Sequence, residues 1–429
     1  MNLLKKIFHF KMALLTYWWY GRPSRKLIVV GVTGTKGKST TCKLIASVLQ
    51  AGGFKVGLMT TVEFQIGDKR WLNDKKMTML GRGQIQGMLK QMVTSGCRYA
   101  VIETSSQGIL QYRHYGLNYD VAVFTNLAPE HVEAHGGFEN LKRDKGKIFA
   151  ELMKQEKKVF DGKPVPKIII ANSDDDNSNY YLNFSADKKY SYGIKNPVDV
   201  LGKIIETNES GSIFKAGGTD YKIKIPGQFN VYNALAAVAV GKSQNISEEK
   251  IKTGLENVAV VEGRMEFIKA GQNFKVVVDY AHEPLSLKEL FSSLRGMLVP
   301  SGKLIAVIGS DGGGRDKSKR EKMGELSAQL TDYIVITDVN CFDEDPKEIA
   351  EMLAVGARKA GKKDNSDLFI EVDRRKGIEK AFALAKPGDI VVITAKGTEP
   401  CIVVVGGKKI PWDDRKVARE ILEKNFIVS

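Results

Sequence analysis

Short runs of β-branched and aliphatic residues recur along the chain and alternate with stretches whose apolar positions follow helical spacing. Lys26-Leu-Ile-Val-Val30 reads as a buried strand. Ser39 to Gln50 reads as the helix after it, with Ile45, Val48 and Leu49 on one face and Gly52-Gly53 as its stop. Tyr99-Ala-Val-Ile102, Asp120-Val-Ala-Val-Phe124 and Lys167-Ile-Ile-Ile170 continue the strand series. Runs that are apolar at every position fit strands covered on both faces, as in a parallel α/β sheet. From roughly 185 to 226 Tyr, Ile, Thr and Gly alternate and helix formers thin out, which predicts strands or hairpins. Asn230 to Gly241 returns to an Ala-rich helix. A second series begins near residue 263, with strands expected at Lys275–Asp279, Leu304–Ile308, Tyr333–Ile336, Leu368–Ile370 and Asp389–Ile393. This predicts a separate doubly wound domain.

The pattern divides the chain into a short N-terminal helical extension (1–25), a central α/β domain with a parallel sheet (26–262) and a C-terminal Rossmann-like, doubly wound α/β domain (263–429). In the extension, Lys5 and Lys6 precede Met12-Ala-Leu-Leu15 and Thr16-Tyr-Trp-Trp-Tyr20, with no small-residue cleavage site after them. A helix packed on the first domain is the preferred reading; the Lys and Trp pairing also admits a weak membrane-surface contact.

The 429 residues are 43% hydrophobic and 27% charged, enough to bury large cores. No apolar run approaches the roughly 18 residues of a membrane span. The net charge of +15 suits an anionic partner, from nucleic acid to lipid to phosphorylated small molecules. No block of five like charges and no nucleic-acid module is present, so nucleic acid is not an expected partner. Cys42, Cys97, Cys341 and Cys401 are too scattered for a zinc ribbon or disulfide framework, which points to a reducing cytoplasm.

Between the first strand and its helix lies Gly31-Val-Thr-Gly-Thr-Lys-Gly-Lys-Ser39-Thr40, the context a phosphate-binding loop requires. Glycines let backbone N–H groups turn inward onto phosphate oxygens, and the helix N-terminus adds partial positive charge. Lys38 can reach the terminal phosphates and the Ser39 hydroxyl can bind Mg²⁺. The strict P-loop pattern wants glycine where this chain has Val32, so the loop is a variant spanning Gly34, Thr35, Lys36, Gly37, Lys38, Ser39 and Thr40.

Glu103 follows the strand Tyr99–Ile102, where a carboxylate faces the ligand crevice; it suits Mg²⁺, with a helix cap before Thr104-Ser-Ser106 as the lesser alternative. His131 and His135 are two of only five histidines and could hold a metal, but their spacing is not that of a zinc protease, and taken alone a surface loop is the preferred reading. Lys145, in a helical stretch from Asn140 to Phe149, has nothing in its pattern to distinguish it from a solvated lysine.

Taken together, these segments resemble one family, the Mur ligases, ATP-dependent amide-bond ligases of peptidoglycan precursor synthesis and hence of cell-wall biogenesis, cell shape and division. The resemblance runs from Gly21 to the C-terminus: Gly21-Arg-Pro-Ser24, the loop at 31–41, Glu103-Thr-Ser-Ser106, Asn126-Leu127 with Glu130-His131 and His135-Gly136, Gly227 to Asn233, Gly263-Arg-Met-Glu266, Asp279-Tyr-Ala-His282, and Gly313-Gly-Arg-Asp316 with Lys319-Arg320. It implies a P-loop ATPase central domain, ATP and Mg²⁺ as cofactors, and addition of an amino acid to a UDP-N-acetylmuramoyl dipeptide through an acyl phosphate. Gly34 to Thr40 would bind the phosphates, Asn230 and Asn233 would lie near the adenine, and Arg264 and Asp279 near the nucleotide. Ser39, Glu103 and His131 would hold Mg²⁺, joined by Lys145 where the family carries a carbamylated lysine. Thr78, Ser105, Gln111 and Arg113 would contact the muramyl peptide, and Arg315 and Glu399 the incoming amino acid. A monomer is expected.

Three departures from the family pattern qualify the substrate. Only about 25 residues precede the first strand, where the family has a domain for the UDP end. The diaminopimelate selector D-N-P-R reads Val339-Asn340-Cys341-Phe342, which removes an Arg able to bind a distal carboxylate. The usual G-K-G-H-E reads Ala395-Lys396-Gly397-Thr398-Glu399. A folylpolyglutamate-synthase-like ligase and a non-catalytic nucleotide-binding homologue are the alternatives; the Asp279–His282 and Gly263–Glu266 motifs favour the muramyl branch over the first, and Lys38, Glu103, His131 and Lys145 oppose the second.

Overall fold

The computed structural model of the chain describes residues 3–75, 77–129, 132–195 and 197–426. The chain forms two compact units, Met1–Ala259 and Val260–Ser429. Among the described residues no helix is long and apolar enough to cross a membrane.

The first unit opens with α1 (Leu3–Trp19), β1 (Ile28–Thr33) and α2 (Lys38–Ala51). A β2–β3–β4 meander follows (Val56–Met59, Glu63–Ile66, Lys69–Leu72), then α3 (Arg82–Thr94), β5 (Tyr99–Glu103), α4 (Ser106–Leu110), β6 (Val121–Phe124), α5 (Val132–His135) and α6 (Phe138–Ala150). A small hairpin of β7 and β8 (Val159–Phe160, Lys163–Pro164) leads to β9 (Ile168–Asn172), α7 (Ser178–Leu182) and β10 (Lys188–Gly193). The unit ends with β11 (Val200–Asn208), β12 (Gly211–Ala216), β13 (Thr219–Ile223), α8 (Gln228–Ser243) and α9 (Glu248–Glu256).

Its sheet has eleven strands in the order β13-β12-β11-β10-β9-β6-β1-β5-β2-β3-β4. The middle, from β11 to β2, is parallel, and the edges β12–β13 and β3–β4 are antiparallel hairpins. The sheet is therefore mostly parallel, as expected, with antiparallel hairpins added at both edges. The apolar runs fall in the parallel middle because helices cover both faces there. On one face Val29, Ala100, Ile102 and Phe124 pack against Ile85 and Leu89 of α3, Ile148 of α6 and Tyr181 of α7. On the other, α2 packs with α8 and α9. The register pairs Val32 with Glu103 and Thr33 with Phe124, so β1, β5 and β6 end together and deliver their loops to one edge.

The second unit contains β14 (Glu266–Ile268), β15 (Lys275–Val278), α10 (Pro284–Arg295), β16 (Leu304–Ile308), α11 (Ser318–Leu330), β17 (Tyr333–Ile336), α12 (Pro346–Lys359), β18 (Leu368–Ile370), α13 (Arg374–Leu384) and β19 (Ile390–Ile393). A hairpin, β20 (Cys401–Val404) and β21 (Lys408–Pro411), and α14 (Asp414–Phe426) complete it. The sheet order is β14-β15-β19-β16-β17-β18, parallel except for β14. Ile378 and Phe382 of α13 and Ile421 and Leu422 of α14 seal one face over Val276, Val307 and Ile393.

Candidate active site

The loop from Thr33 to Lys38 leaves the middle of the first sheet and enters α2. Two glycines shape it. Gly34 has φ +152, and a Cβ there would lie 2.0 Å from the Thr125 hydroxyl; Gly37 has φ +79, and a Cβ would lie 2.3 Å from Asn233 Oδ1. Neither position leaves room for a side chain. The loop end after β6 holds the backbone: Asn126 O accepts from Thr35 N at 2.8 Å and Asn126 Oδ1 from Lys36 N at 2.8 Å. The Thr125 hydroxyl donates to Lys36 O at 2.8 Å. Lys38 Nζ bends back to Thr35 O at 2.8 Å.

Behind the loop, Asn233 Oδ1 accepts from the Thr41 hydroxyl at 3.1 Å, Asn233 Nδ2 donates to Asn230 Oδ1 at 2.8 Å, and Asn230 Nδ2 donates to Pro226 O at 2.6 Å. The two asparagines of α8 thus connect the loop to the turn that starts their own helix. Cys42 lies beneath; burial, and next the charge of Glu103, push its thiol well up, so it is an inert packing residue and not a nucleophile.

Glu103 is 3% exposed at the end of β5. Its Oε2 accepts from the Ser39 hydroxyl at 2.7 Å and from Thr61 N at 2.8 Å. The Thr61 hydroxyl donates to Thr78 Oγ1 at 3.0 Å, which brings Thr78 to the same corner. Lys145, buried on α6, donates to Gly34 O at 2.9 Å. Among the described residues no cluster of three His, Cys, Asp or Glu forms. The donors beside the loop are a carboxylate and hydroxyls, hard oxygen ligands that fit an ion such as Mg²⁺, which keeps several waters.

His131 and Glu130 lie outside the described residues. His135 is on α5, buried, with both ring nitrogens engaged: Nδ1 meets Asp144 Oδ2 at 2.7 Å and Nε2 meets Ser106 Oγ at 3.1 Å. It pins α4 to α6. Burial pushes the Asp144 carboxyl up, but hydrogen bonds from His135 and Lys147 outweigh it and hold it below its ordinary value.

Ser105 caps α4 by accepting from Gly108 N at 3.2 Å. Arg113 donates to Gln111 Oε1 at 2.6 Å and to Met79 O, tying the segment after α4 to the Thr78 segment. Burial, then the charge of Arg82, lowers the Arg113 pKa.

In the second unit Asp279 accepts from Met265 N and Ala281 N, each at 2.7 Å, and fixes the Gly263–Glu266 turn. Arg264 lies over the Tyr280 ring, 4.3 Å from its centroid. Glu399 Oε2 accepts from Asn340 Nδ2 at 3.1 Å and from Lys396 Nζ at 3.0 Å; Asn340 Nδ2 also donates to Asp311 Oδ1 at 2.8 Å, and Asp311 pairs with Arg315 at 3.2 Å. Arg315 and Glu399 therefore belong to one network. Burial, then Glu399, raises the Tyr280 phenol, while Arg264 and Arg315 draw it down, so this ring lies among all of them.

Thr61, Thr125, Asn340 and Tyr280 had no role in the sequence reading. Thr61 acts through a backbone N–H, which no side-chain pattern reports. Asn126, Asn340 and Tyr280 did stand in quoted segments, in the loops that follow strands, and that placement was the available signal.

The Mur ligase middle domain matches residues 32–241, and the Mur ligase glutamate ligase domain matches residues 263–397. A UDP-N-acetylmuramyl-tripeptide synthetase of Roseiflexus sp. is 37% identical over 423 residues, covering 96% of this chain and 81% of that protein. The chain belongs to the Mur ligase family. Members of this family are ATP-dependent amino acid ligases. Among solved structures, a UDP-N-acetylmuramoyl-L-alanyl-D-glutamate–2,6-diaminopimelate ligase superposes with a TM-score of 0.62 at 26% identity, over 93% of this chain and 78% of that one. FolC of E. coli in complex with ADP shares the fold, with a TM-score of 0.66 at 18% identity over 90% of each chain.

Proposed function

We propose that this Mur ligase couples ATP cleavage to amide-bond formation at the terminal carboxylate of a UDP-N-acetylmuramoyl dipeptide, extending it by one amino acid. The observation that carries the reading is the 2.7 Å bond between the Ser39 hydroxyl of the loop and Glu103 at the neighbouring strand end. It sets a hydroxyl and a buried carboxylate together where a triphosphate-bound cation belongs.

In this reading the backbone N–H groups of Gly34 to Thr40 cradle the phosphates, and Asn230 and Asn233 shape the loop beside the adenine. Lys38 leaves Thr35 O and neutralises charge on the transferring phosphoryl group. Mg²⁺, held by Ser39, Glu103 and His131, would supply further charge neutralisation. Lys145 Nζ would add to the carbon of CO₂ and lose a proton, and the resulting carbamate would offer a further oxygen ligand. Thr78, Ser105, Gln111 and Arg113 orient the peptide so that its carboxylate oxygen attacks the γ-phosphorus and ADP leaves. The donor amine then attacks the acyl carbon, phosphate departs, and the amine proton passes to solvent. Arg315 and Glu399 hold the donor's own carboxylate and amine.

The test is ADP release with Mg²⁺, ATP, the UDP-N-acetylmuramoyl dipeptide and a panel of amino acids. Turnover requiring all components is expected. Absence of turnover with every donor overturns the reading.

A further inference from the structure

Helix α1 is apolar on two faces, and only one is used by the fold. The inward face is fixed to the first unit. Ala13 is buried, Phe10 packs edge-on to Tyr112 and Tyr115 with centroids 5.6 and 4.8 Å away, and the Tyr17 hydroxyl accepts from Asn118 Nδ2 at 3.0 Å. A helix apolar all round is ordinarily buried all round. Here Ile7, Phe8, Leu15, Trp18 and Trp19 point to solvent, Trp18 58% and Trp19 82% exposed. Positions 8, 11, 15, 18 and 19 follow helical spacing and form one stripe, in which the exposed polar member is Lys11.

The charge carried by this N-terminal segment has one sign. The first 26 residues contain Lys5, Lys6, Lys11, Arg22, Arg25 and Lys26, and the first acidic residue in the chain is Glu63. Arg25 is paired with Glu156, whereas Arg22 lies over the Trp18 ring at 4.5 Å, beside the apolar stripe. A second copy of this face would bring lysine against lysine. An anionic bilayer surface matches both properties: apolar side chains and indoles enter the headgroup boundary while Lys and Arg meet lipid phosphates.

We infer that α1 docks the ligase on the surface of an anionic lipid bilayer through the Ile7–Trp19 stripe. The helix lies in the interface plane, and its inward face keeps the first unit attached.

Flotation of the full chain with vesicles of phosphatidylglycerol and phosphatidylcholine, or of phosphatidylcholine alone, tests this. Binding to the anionic vesicles that weakens as salt rises, with a blue shift in tryptophan emission, is expected. The W18S/W19S variant changes only exposed side chains; it should lower the partition coefficient at least about tenfold, abolish the blue shift and leave ATP-dependent turnover unchanged. Lys11→Glu, which disturbs no packing, should weaken binding by about fivefold or more. No binding, equal binding to both vesicle types, or binding untouched by both variants overturns the inference. Self-association without vesicle binding, dissolved by W18S/W19S, also overturns it and makes the stripe an interface between copies.

Discussion

Each unit places a glycine-containing loop between a central parallel strand and a helix, and the two loops are held differently. In the first unit the loop after β1 is buried at Gly34 and Thr35 and half-buried from Lys36 to Lys38, and the adjoining Thr125–Asn126 segment grips its backbone at Thr35 and Lys36 through one carbonyl and two side chains. In the second, the loop after β16 is exposed from Gly313 to Lys317 and side chains tether it: Glu344 accepts from Gly314 N at 3.2 Å and from Arg320 at 3.0 Å, and Arg320 donates to Asp311 O at 2.9 Å. A backbone cradle presents the same N–H groups whatever its side chains, which suits a ligand common to all reactions of the family. A loop set by side chains can be retuned by one substitution, which suits the variable substrate.

The largest effect expected from this contrast is at Lys38, the side chain the backbone cradle cannot replace. Lys38→Ala should lower turnover by at least about 10²–10³-fold with ellipticity and thermal transition unchanged, measured by ADP release and circular dichroism. Retained activity would mean that the first loop is only a turn, and the contrast would fail. Lys145→Ala comes next. It should cost about 100-fold and be restored in part by acetate or formate, which supply the missing carboxylate. Rescue by short amines and not by acids would show that Lys145 acts as an ammonium.

The same contrast explains what could be read from the sequence. Strands β1, β5, β6, β9, β15, β16, β17 and β19 were visible because each is largely buried on both faces and so mostly apolar. The β2–β3–β4 meander was not predicted: Lys69-Arg-Trp-Leu72 forms a mostly exposed edge, and Val56–Met59, though buried, is only four residues long with a glycine among them. The β20–β21 hairpin, with Lys408, Lys409 and Pro411 in its outer strand, was missed for the same reason. The bend of the loop after β1 was legible because glycine spacing encodes its backbone. The Asp311–Asn340–Glu399 network was not, since its members come from three segments far apart in sequence and meet only through the order β19-β16-β17.

A smaller effect tests whether the second loop's surroundings set the donor. Phe342 is half-buried beside Gly313; under the proposed function it stands where the selector Arg is expected, so a donor with a distal carboxylate would meet a ring and not a guanidinium. The parent should favour donors without that carboxylate. Phe342→Arg should shift the ratio of kcat/KM toward diaminopimelate by roughly tenfold, with the KM for ATP unchanged. A change in the ATP constant instead would show that the two loops are not separable in this way.

The smallest expected effect concerns the tether itself. The Arg320 guanidinium, the largest influence on Glu344, pulls its carboxyl from 4.5 down to about 2, with Lys317 and Gly314 N adding to it against a burial penalty. A carboxyl with a lower pKa folded than unfolded binds fewer protons in the folded state between those values. Its stabilisation is therefore complete above pH 4.5 and lost as pH falls toward 2. Glu344→Gln should increase hydrogen exchange of the 311–320 segment relative to the parent at neutral pH, and the ratio between the two proteins should approach one as the pH is lowered through that window. The 33–40 segment should show no difference at any pH. Equal protection of the 311–320 segment at neutral pH would mean that its shape does not depend on this carboxylate.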